Sequence, residues 1–368
     1  MKHTTMTLKN FTGTNYEVGG QIGQWVMTRP DLLQRFIMGP DAFPADKLAQ
    51  IEALLDRYCP GVNEEIQGFA DTLRIDKQQA VFYMETYLER GCSLTAALPS
   101  RTADGRTLMA RSYDFNDDIE EMCFAYTAVD GAFRHVGSTL NLFGRCDGIN
   151  EHGLAVAIAS NGLPVGNFPG GTPAGATGFS FWVVVRSVLE QCATVDEAVA
   201  WTMEAPVGFN INLLLADASD RIGLVQCIDG HKACTVLDAE STEDHLSTTN
   251  HAVLPDVKRY EHMLLENSVI RYDAIERLYA ERAHVSEDDL KGLLSTSYPD
   301  GLCCHFYPEF FGTLRSMVFD PAARAVETTF GSPQENGWQR FTVEPLEERE
   351  VTVNLPCEKM PAAFAKTL

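Results

Sequence analysis

The hydrophobic pattern of this chain changes period at residue 92, and few folds accommodate such a change. Before it, apolar residues recur at helical spacing. Leu48, Ile51, Leu54 and Leu55 share one face of a predicted helix over 45–58, which Pro60-Gly61 terminates. The stretches 63–73 and 76–88 read as two more helices, the second capped by Asp76. A glycine-rich run, 12–23, leads into an earlier one with Asn15 as its cap. Few strand signals lie in this part. From Cys92 onward, alternation takes over. Residues 92–98 read as a strand, Asp104-Gly105 as a hairpin turn, and 106–115 as the returning strand. The chain is therefore expected to divide into a mostly helical segment, 1–91, packed on a larger unit, 92–368.

The pattern beyond residue 115 extends that expectation. Asp130-Gly131 and Asp147-Gly148 read as turns between strand candidates at 123–129, 133–138 and 154–160. The run 162–178, rich in Gly and Pro, reads as an irregular loop of the kind that walls a substrate site. Helical spacing returns at Trp182, Val185, Val188, Leu189 and Cys192. Thr194 and Glu197 then form a capping box for a second helix to about residue 203. Strands follow at 211–216, 222–228, 233–237 and 245–250, then a helical stretch over 256–282 and another capped at Ser286. Final strands lie at 313–320, 325–330 and 340–343. Strands, paired helices, strands, helices and strands in that order suit two sheets face to face with helices outside, an α+β four-layer α/β/β/α sandwich.

Composition narrows the partners. Lys and Arg number 29 against 51 Asp and Glu, a formal net charge of -22 spread along the chain. Nucleic acid, which requires clustered cations, is not an expected partner. No apolar run is long enough to span a bilayer, so no membrane association is expected. The start, Met1-Lys2-His3-Thr4-Thr5, lacks the apolar stretch of a secretory leader. Ten cysteines without regular spacing then read as mostly buried free thiols in a reducing, cytoplasmic setting. Cys303-Cys304-His305 does not make a metal site, because strand neighbours point to opposite faces and no CxxC partner exists. No metal and no resident cofactor are expected. A small molecule is the expected partner, and a homo-oligomer stays open.

Cys92 is the residue with chemistry attached. It stands in Arg90-Gly91-Cys92-Ser93, at the head of the hairpin whose second strand ends in Arg111-Ser112-Tyr113-Asp114, and Thr249-Asn250-His251 follows much later. Cleaving an amide takes a nucleophile, a base for its proton and donors for the oxyanion. An α-amino group has a pKa of about 7.7–8.0 and can serve as that base near neutrality. If the Gly91-Cys92 bond broke, Cys92 would supply thiol and base together. Gly91, without a Cβ, leaves its carbonyl open to attack by the neighbouring thiol. Simple pairing about the Asp104-Gly105 turn sets Asp114 opposite Thr95, so a bulge or a longer loop is needed to bring it to Cys92. Arg111 and Asp114, an odd number of positions apart, should face opposite sides of a regular strand.

Several stretches together resemble a known family. Tyr16-Glu17-Val18-Gly19-Gly20-Gln21-Ile22-Gly23, Gly91-Cys92-Ser93, Ala103-Asp104-Gly105-Arg106-Thr107-Leu108-Met109-Ala110-Arg111 and Thr249-Asn250-His251 look like the isopenicillin N acyltransferase (acyl-coenzyme A:6-aminopenicillanate acyltransferase) family of N-terminal-nucleophile hydrolases. Gly148-Ile149-Asn150-Glu151-His152-Gly153-Leu154-Ala155 is similar to a stretch shared with the related choloylglycine hydrolases. Ser93 stands where the family usually has threonine, and Tyr113-Asp114-Phe115 replaces its commoner Leu-Asp-Trp.

The resemblance implies a cysteine amidohydrolase or acyltransferase acting on a linear, non-peptide amide through a thioester. It is activated by autoproteolysis at Gly91-Cys92, with 1–91 becoming a pro-segment or small subunit. Cys92 becomes the nucleophile, Asp114 holds its amine, Arg111 packs beside it, and Asn250 donates to the oxyanion. Asn161 matches a second oxyanion contributor, with Ser160 competing, and Arg315 and Ser316 match further pocket residues. Acyl-coenzyme A enters as a co-substrate at most. Two alternatives stand beside this reading: a dormant, unprocessed or binding-only member, and an intact thiol hydrolase with His251 as base. The aromatic group Phe306, Tyr307, Phe310 and Phe311 reads as core before it reads as an acyl cleft.

Overall fold

The alternating segments pair into two sheets, seen in a computed structural model that describes residues 1–85, 93–162, 178–261 and 263–368. Gly91, Cys92 and nearly all of the 162–178 loop lie outside these residues. The larger sheet runs, in spatial order, through strands His231–Leu237, Ile222–Ile228, Ile211–Ala216, Ala155–Ser160, Asp147–Asn150, His135–Leu140, Cys123–Val129, Lys2–Gly13 and Arg349–Leu355. The short Gly144–Arg145 strand pairs with His135–Leu140 off that path. The smaller sheet orders His245–Thr248, Ser93–Ala97, Leu108–Phe115, Phe311–Asp320, Ala325–Phe330 and Gln339–Thr342, with His305–Phe306 on the Phe311–Asp320 strand.

Burial alternates along the strands, and that alternation builds the layers. Leu94, Ala96, Met109, Tyr113 and Met317 of the smaller sheet join Val156, Ile158, Leu213 and Leu215 of the larger one in the main core. Their neighbours Ala97, Leu108, Ala110 and Val318 face the other way, onto Ile275, Tyr279, Leu290 and Leu294. Those four belong to helices Glu266–Glu281 and Glu287–Ser295, which cover the smaller sheet. Helices Phe181–Gln191 and Val195–Glu204 cover the larger. The expected α/β/β/α order is the order found. No helix among the described residues is long and apolar enough to cross a membrane.

The N-terminal part holds a strand the sequence reading missed. Lys2–Gly13 lies inside the larger sheet, antiparallel to Arg349–Leu355 and parallel to Cys123–Val129. Its apolar signal is thin: only Met6, Leu8 and Phe11 are buried apolar residues there, among Thr, Lys and Asn. The glycine run that follows serves helix packing. Helix Asn15–Met27 crosses helix Val62–Leu73 so closely that a Cβ on Gly19 would stand 1.7 Å from the Glu65 carbonyl oxygen, and one on Gly68 2.0 Å from that of Tyr16.

Other boundaries differ for local reasons. Thr14, not Asn15, caps the first helix, in a reciprocal capping box with Glu17. Asp76 caps a 3-10 turn, Lys77–Gln79, before the helix Val81–Glu85. The stretch expected as one helix over 256–282 is two, Pro255–Lys258 and Glu266–Glu281. Asp147-Gly148 is not a turn but the start of the Asp147–Asn150 strand, because Asp147 answers buried cations described below. The nine described cysteines are all free, and seven are buried.

A buried carboxyl group braces a strained turn next to this sheet. Asn141 and Leu142 both adopt left-handed backbone, φ 52° and 65°, which a leucine rarely does. Both carboxylate oxygens of Glu121 accept from the Leu142 N–H at 3.1 Å. Burial pushes the Glu121 carboxyl up to about 7 from 4.5, against the pull of Thr139, the Leu142 N–H and Arg145. The folded chain thus holds this proton more tightly than the unfolded one does. The group's contribution is fully present below pH 4.5 and is lost as pH rises through about 7. At about 1.4 kcal/mol per pH unit, the loss is on the order of 3 kcal/mol. Glu121→Gln keeps an acceptor without the charge, so its stability relative to wild type should grow between pH 4.5 and 7 and then level off in urea titrations. A difference independent of pH would contradict this account.

Candidate active site

The hairpin after residue 92 closes later than its Asp-Gly turn suggests. Ala97 pairs with Leu108 and Ser93 with Ser112, leaving 98–107 as the connection. Asp114 therefore lies two residues beyond the partner of Ser93, rather than opposite Thr95. The reason is tertiary. Ala97, Leu108 and Ala110 must face the Glu266–Glu281 and Glu287–Ser295 helices together, and the Ala103 N–H is drawn to the Val285 carbonyl. Of a bulge and a longer loop, the longer loop is the one found.

Asp114 is buried on the helix-facing side of the smaller sheet. Its Oδ1 accepts from the Ser112 hydroxyl at 2.8 Å and the Thr313 hydroxyl at 2.6 Å. Thr313 reaches it through a β-bulge. The register of Phe311–Asp320 shifts between Thr313 and Arg315, so Leu314 and Arg315 both turn inward. Burial pushes the Asp114 carboxyl up, against the pull of Arg271, Thr313, Ser112 and Arg111. Among the described residues, Asp114 Oδ2 meets no donor.

Asn250 sits just past the His245–Thr248 strand and is buried. Its Nδ2 donates to the Ser160 carbonyl oxygen at 2.8 Å and lies 3.4 Å from the Ser160 hydroxyl. Its Oδ1 accepts from Arg271 at 2.7 Å, and its backbone N–H donates to the Ser268 hydroxyl at 2.8 Å. Arg271, on the helix over the sheet, also donates to the hydroxyl of Ser93, the residue after Cys92. Arg271 therefore joins Ser93 to Asn250, which in turn holds Ser160, and its charge is the largest pull on the carboxylate of Asp114. Gly91 and Cys92 lie outside the described residues.

Arg111 and Asp114 obey the parity of their strand and face opposite sides. Arg111 points between the sheets, 2.8 Å from Asp147 Oδ2, with Arg315 4.0 Å from the same oxygen. Glu120 lies 3.7 Å from Arg315 and accepts from the Tyr113 hydroxyl, and Arg315 stacks on the Tyr113 ring at 4.2 Å. Two buried cations thus answer two buried anions beneath the hairpin. Cys146 lies among them, 3.2 Å from Arg315 Nη2, and burial drives its thiol well above its ordinary range, so it is no competing nucleophile.

The remaining expected residues divide. Ser160 is against Asn250, whereas Asn161 turns its amide to Asn212 Oδ1 at 2.8 Å. Ser316 pairs with Ser112 in register, and its hydroxyl has no hydrogen-bond partner among the described residues. His251 Nδ1 is engaged by Thr249 at 3.0 Å and Ser268 at 2.9 Å, and burial, with Arg271 and Lys258 nearby, pushes its pKa down to about 4. Cys303 Sγ and His305 Nε2 meet at 3.2 Å, and no group of three His, Cys, Asp or Glu among the described residues is arranged to hold a metal.

Sequence reasoning missed Arg271 and Asp147. The former is one arginine on an amphipathic helix. The latter carried a turn signal. Nothing local marks either, although Ser268 and Arg271 stand one helical turn apart and so share a face.

A buried acceptor, an asparagine amide and paired buried cations are thus the polar groups the fold places around the hairpin, and the family comparison supplies the class of protein. The model of the family described as acyl-coenzyme A:6-aminopenicillanic acid acyl-transferase matches residues 100–335, and the chain belongs to that family. It is by that membership an amide-cleaving or acyl-transferring enzyme. Among curated proteins none matches. Solved structures give remote likenesses. Penicillin V acylase from Agrobacterium tumefaciens is 17% identical over 65% of this chain and 83% of its own, with a TM-score of 0.40. A point mutant of conjugated bile acid hydrolase from Clostridium perfringens is 10% identical over 73% and 99%, at 0.41. Thermostable penicillin G acylase from Alcaligenes faecalis is 11% identical over 54% and 51%, at 0.37. Likenesses this remote add nothing to the family assignment.

Proposed function

We propose that the protein is a cysteine N-terminal-nucleophile enzyme that cuts itself at Gly91-Cys92 and then acts on a linear amide. In processing, the Cys92 thiol attacks the Gly91 carbonyl and the C–N bond breaks. The thioester that forms is hydrolysed by water, leaving a Gly91 carboxylate and a free Cys92 amine. In turnover that amine takes the thiol proton as sulfur attacks the substrate carbonyl, Asn250 donates to the oxyanion, and the proton passes to the leaving amine. Water or a second amine, with acyl-coenzyme A as an alternative acyl donor, completes the cycle.

One observation carries this reading. Asp114 is a buried carboxylate with one oxygen that meets no donor among the described residues, placed two positions beyond the partner of Ser93. A buried carboxylate is costly without a partner. The ammonium of a new N-terminus at Cys92 is a donor of the right charge. Arg111 supports the site from beneath through Asp147, and its charge also favours the ionised Asp114.

The reading with His251 as base fares worse. A ring whose conjugate acid has a pKa of about 4 is a weak acceptor at neutral pH, and its Nδ1 is already engaged. The test is intact mass and denaturing electrophoresis of the purified protein. Two pieces divided before Cys92 are expected for wild type and one uncut chain for Cys92→Ala. A wild-type chain that stays whole yet hydrolyses amides overturns the processing step, and a fully active Cys92→Ala overturns the nucleophile.

A further inference from the structure

We infer that Arg271 is a positioning residue that holds the Asn250 amide with its nitrogen turned to the reacting carbonyl, and ties that amide to the residue beside the nucleophile. The inference rests on the oxyanion role proposed for Asn250. A guanidinium has five donors and no acceptor, so every atom facing it must accept. Arg271 Nη2 donates to Asn250 Oδ1 at 2.7 Å and to Asn267 Oδ1 at 2.6 Å, and Nη1 donates to the Ser93 hydroxyl. Rotating the Asn250 side chain by half a turn would set N–H against N–H and would also break its 2.8 Å bond to the Ser160 carbonyl oxygen. Asn267 is held in turn, because its Nδ2 donates to the Phe364 carbonyl oxygen at 2.6 Å. The amide therefore has one orientation, set from the helix side.

Stability alone does not account for this cation. Arg271 is wholly buried and acts on the Asp114 carboxylate only through space, and among the described residues its three hydrogen-bond partners are neutral oxygens and its Nε meets no acceptor. Burying a charge against neutral partners is costly. Arg111, Arg186 and Arg315, buried as deeply, each lie within 4.0 Å of a carboxylate. Lysine could not replace the fork, because a compact ammonium lacks the separate Nη1 and Nη2 that reach Ser93 on one side and Asn250 and Asn267 on the other.

The test compares two reactions of Cys92. p-Nitrophenyl acetate acylates the thiol through a tetrahedral oxyanion, forming a C–S bond and expelling p-nitrophenolate. Iodoacetamide alkylates the same sulfur by displacing iodide, with no oxyanion. Rates at Cys92 are followed by peptide mass in the processed protein. Arg271→Met should slow acylation about a hundredfold relative to alkylation, the scale of losing one oxyanion donor. Arg271→Lys should behave like Arg271→Met. Asn267→Ala, which leaves the charge in place, should move the same ratio in the same direction by about fivefold, and it keeps the test available if Arg271→Met does not fold. In an Asn250→Ala background the Arg271→Met effect on the ratio should vanish, the mark of two residues acting as one. Equal slowing of both reactions, a full ratio in Arg271→Lys, or additive effects with Asn250→Ala would overturn the inference. Cys92→Ala separates the two levels. If it still releases p-nitrophenolate at the wild-type rate, the reading of the site has failed. If it is silent while Arg271→Met and Asn267→Ala keep the wild-type ratio, only the role of Arg271 has failed.

Discussion

Asn250→Ala is expected to lower turnover of an amide substrate by about a hundredfold to a thousandfold, the usual consequence of deleting one oxyanion donor, which is the role proposed for Asn250. The effect should fall on kcat with KM little changed, because the donor matters most when charge develops on the carbonyl oxygen. The wild-type geometry favours a large value. The residue is buried and anchored at both its side-chain oxygen and its backbone nitrogen, so the amide is held in place before any oxyanion forms. Folding should survive, since Ser268 keeps the backbone N–H as a partner. An equal rise in KM with kcat unchanged would make Asn250 a binding residue instead.

The second large effect concerns the union of the two parts of the chain. Arg186, on the Phe181–Gln191 helix, meets both oxygens of Glu65 at 2.9 and 2.7 Å and Glu190 at 3.1 Å, and donates to the Phe143 carbonyl oxygen at 2.6 Å. Glu65 belongs to the Val62–Leu73 helix, before residue 92, and all three side chains are buried. Arg186→Met leaves two buried carboxylates facing each other without a cation. The expected loss is about 3–5 kcal/mol in denaturant titration at pH 7. It should shrink toward acid pH, because protons would neutralise the exposed repulsion: the variant's carboxyls would titrate above their unfolded values, so the folded form is favoured at low pH and loses ground as pH rises. The triple variant Glu65→Gln, Arg186→Met, Glu190→Gln should regain most of the loss, since apolar or neutral replacement of a whole buried ionic group is far cheaper than breaking it. After a cut at Gly91-Cys92, this group and the pairing of Lys2–Gly13 with its two neighbours would be among the contacts that hold the pieces together. Release of the small piece from Arg186→Met, and not from wild type, would show it directly.

Much of this molecule could be read before it was seen, for reasons that differ from residue to residue. Leu94 and Ala96 alternate with Ser93 and Thr95 because one face of their strand packs on another sheet and the other on a helix; a period of two is the direct imprint of that burial. The odd spacing of Arg111 and Asp114 announced opposite faces, and they take them. The Lys2–Gly13 strand escaped notice because its exposed positions are ordinary polar residues and its buried ones few. Asp147-Gly148 misled because the pair is a turn former only when the aspartate can reach water; here two guanidinium groups outbid the turn.

Local chemistry along the chain thus determined the two-sheet architecture and the helical covering, since period, turn residues and caps act within a few neighbours, whereas Asp114 and Asn250 became candidates through a family resemblance. The three-dimensional fold alone decided the hairpin register, the choice of Ser160 over Asn161 beside Asn250, and the presence of Arg271 among them. Those outcomes depend on groups far apart along the chain finding acceptors in a space without water, and no pattern of nearby residues encodes which distant donor will arrive.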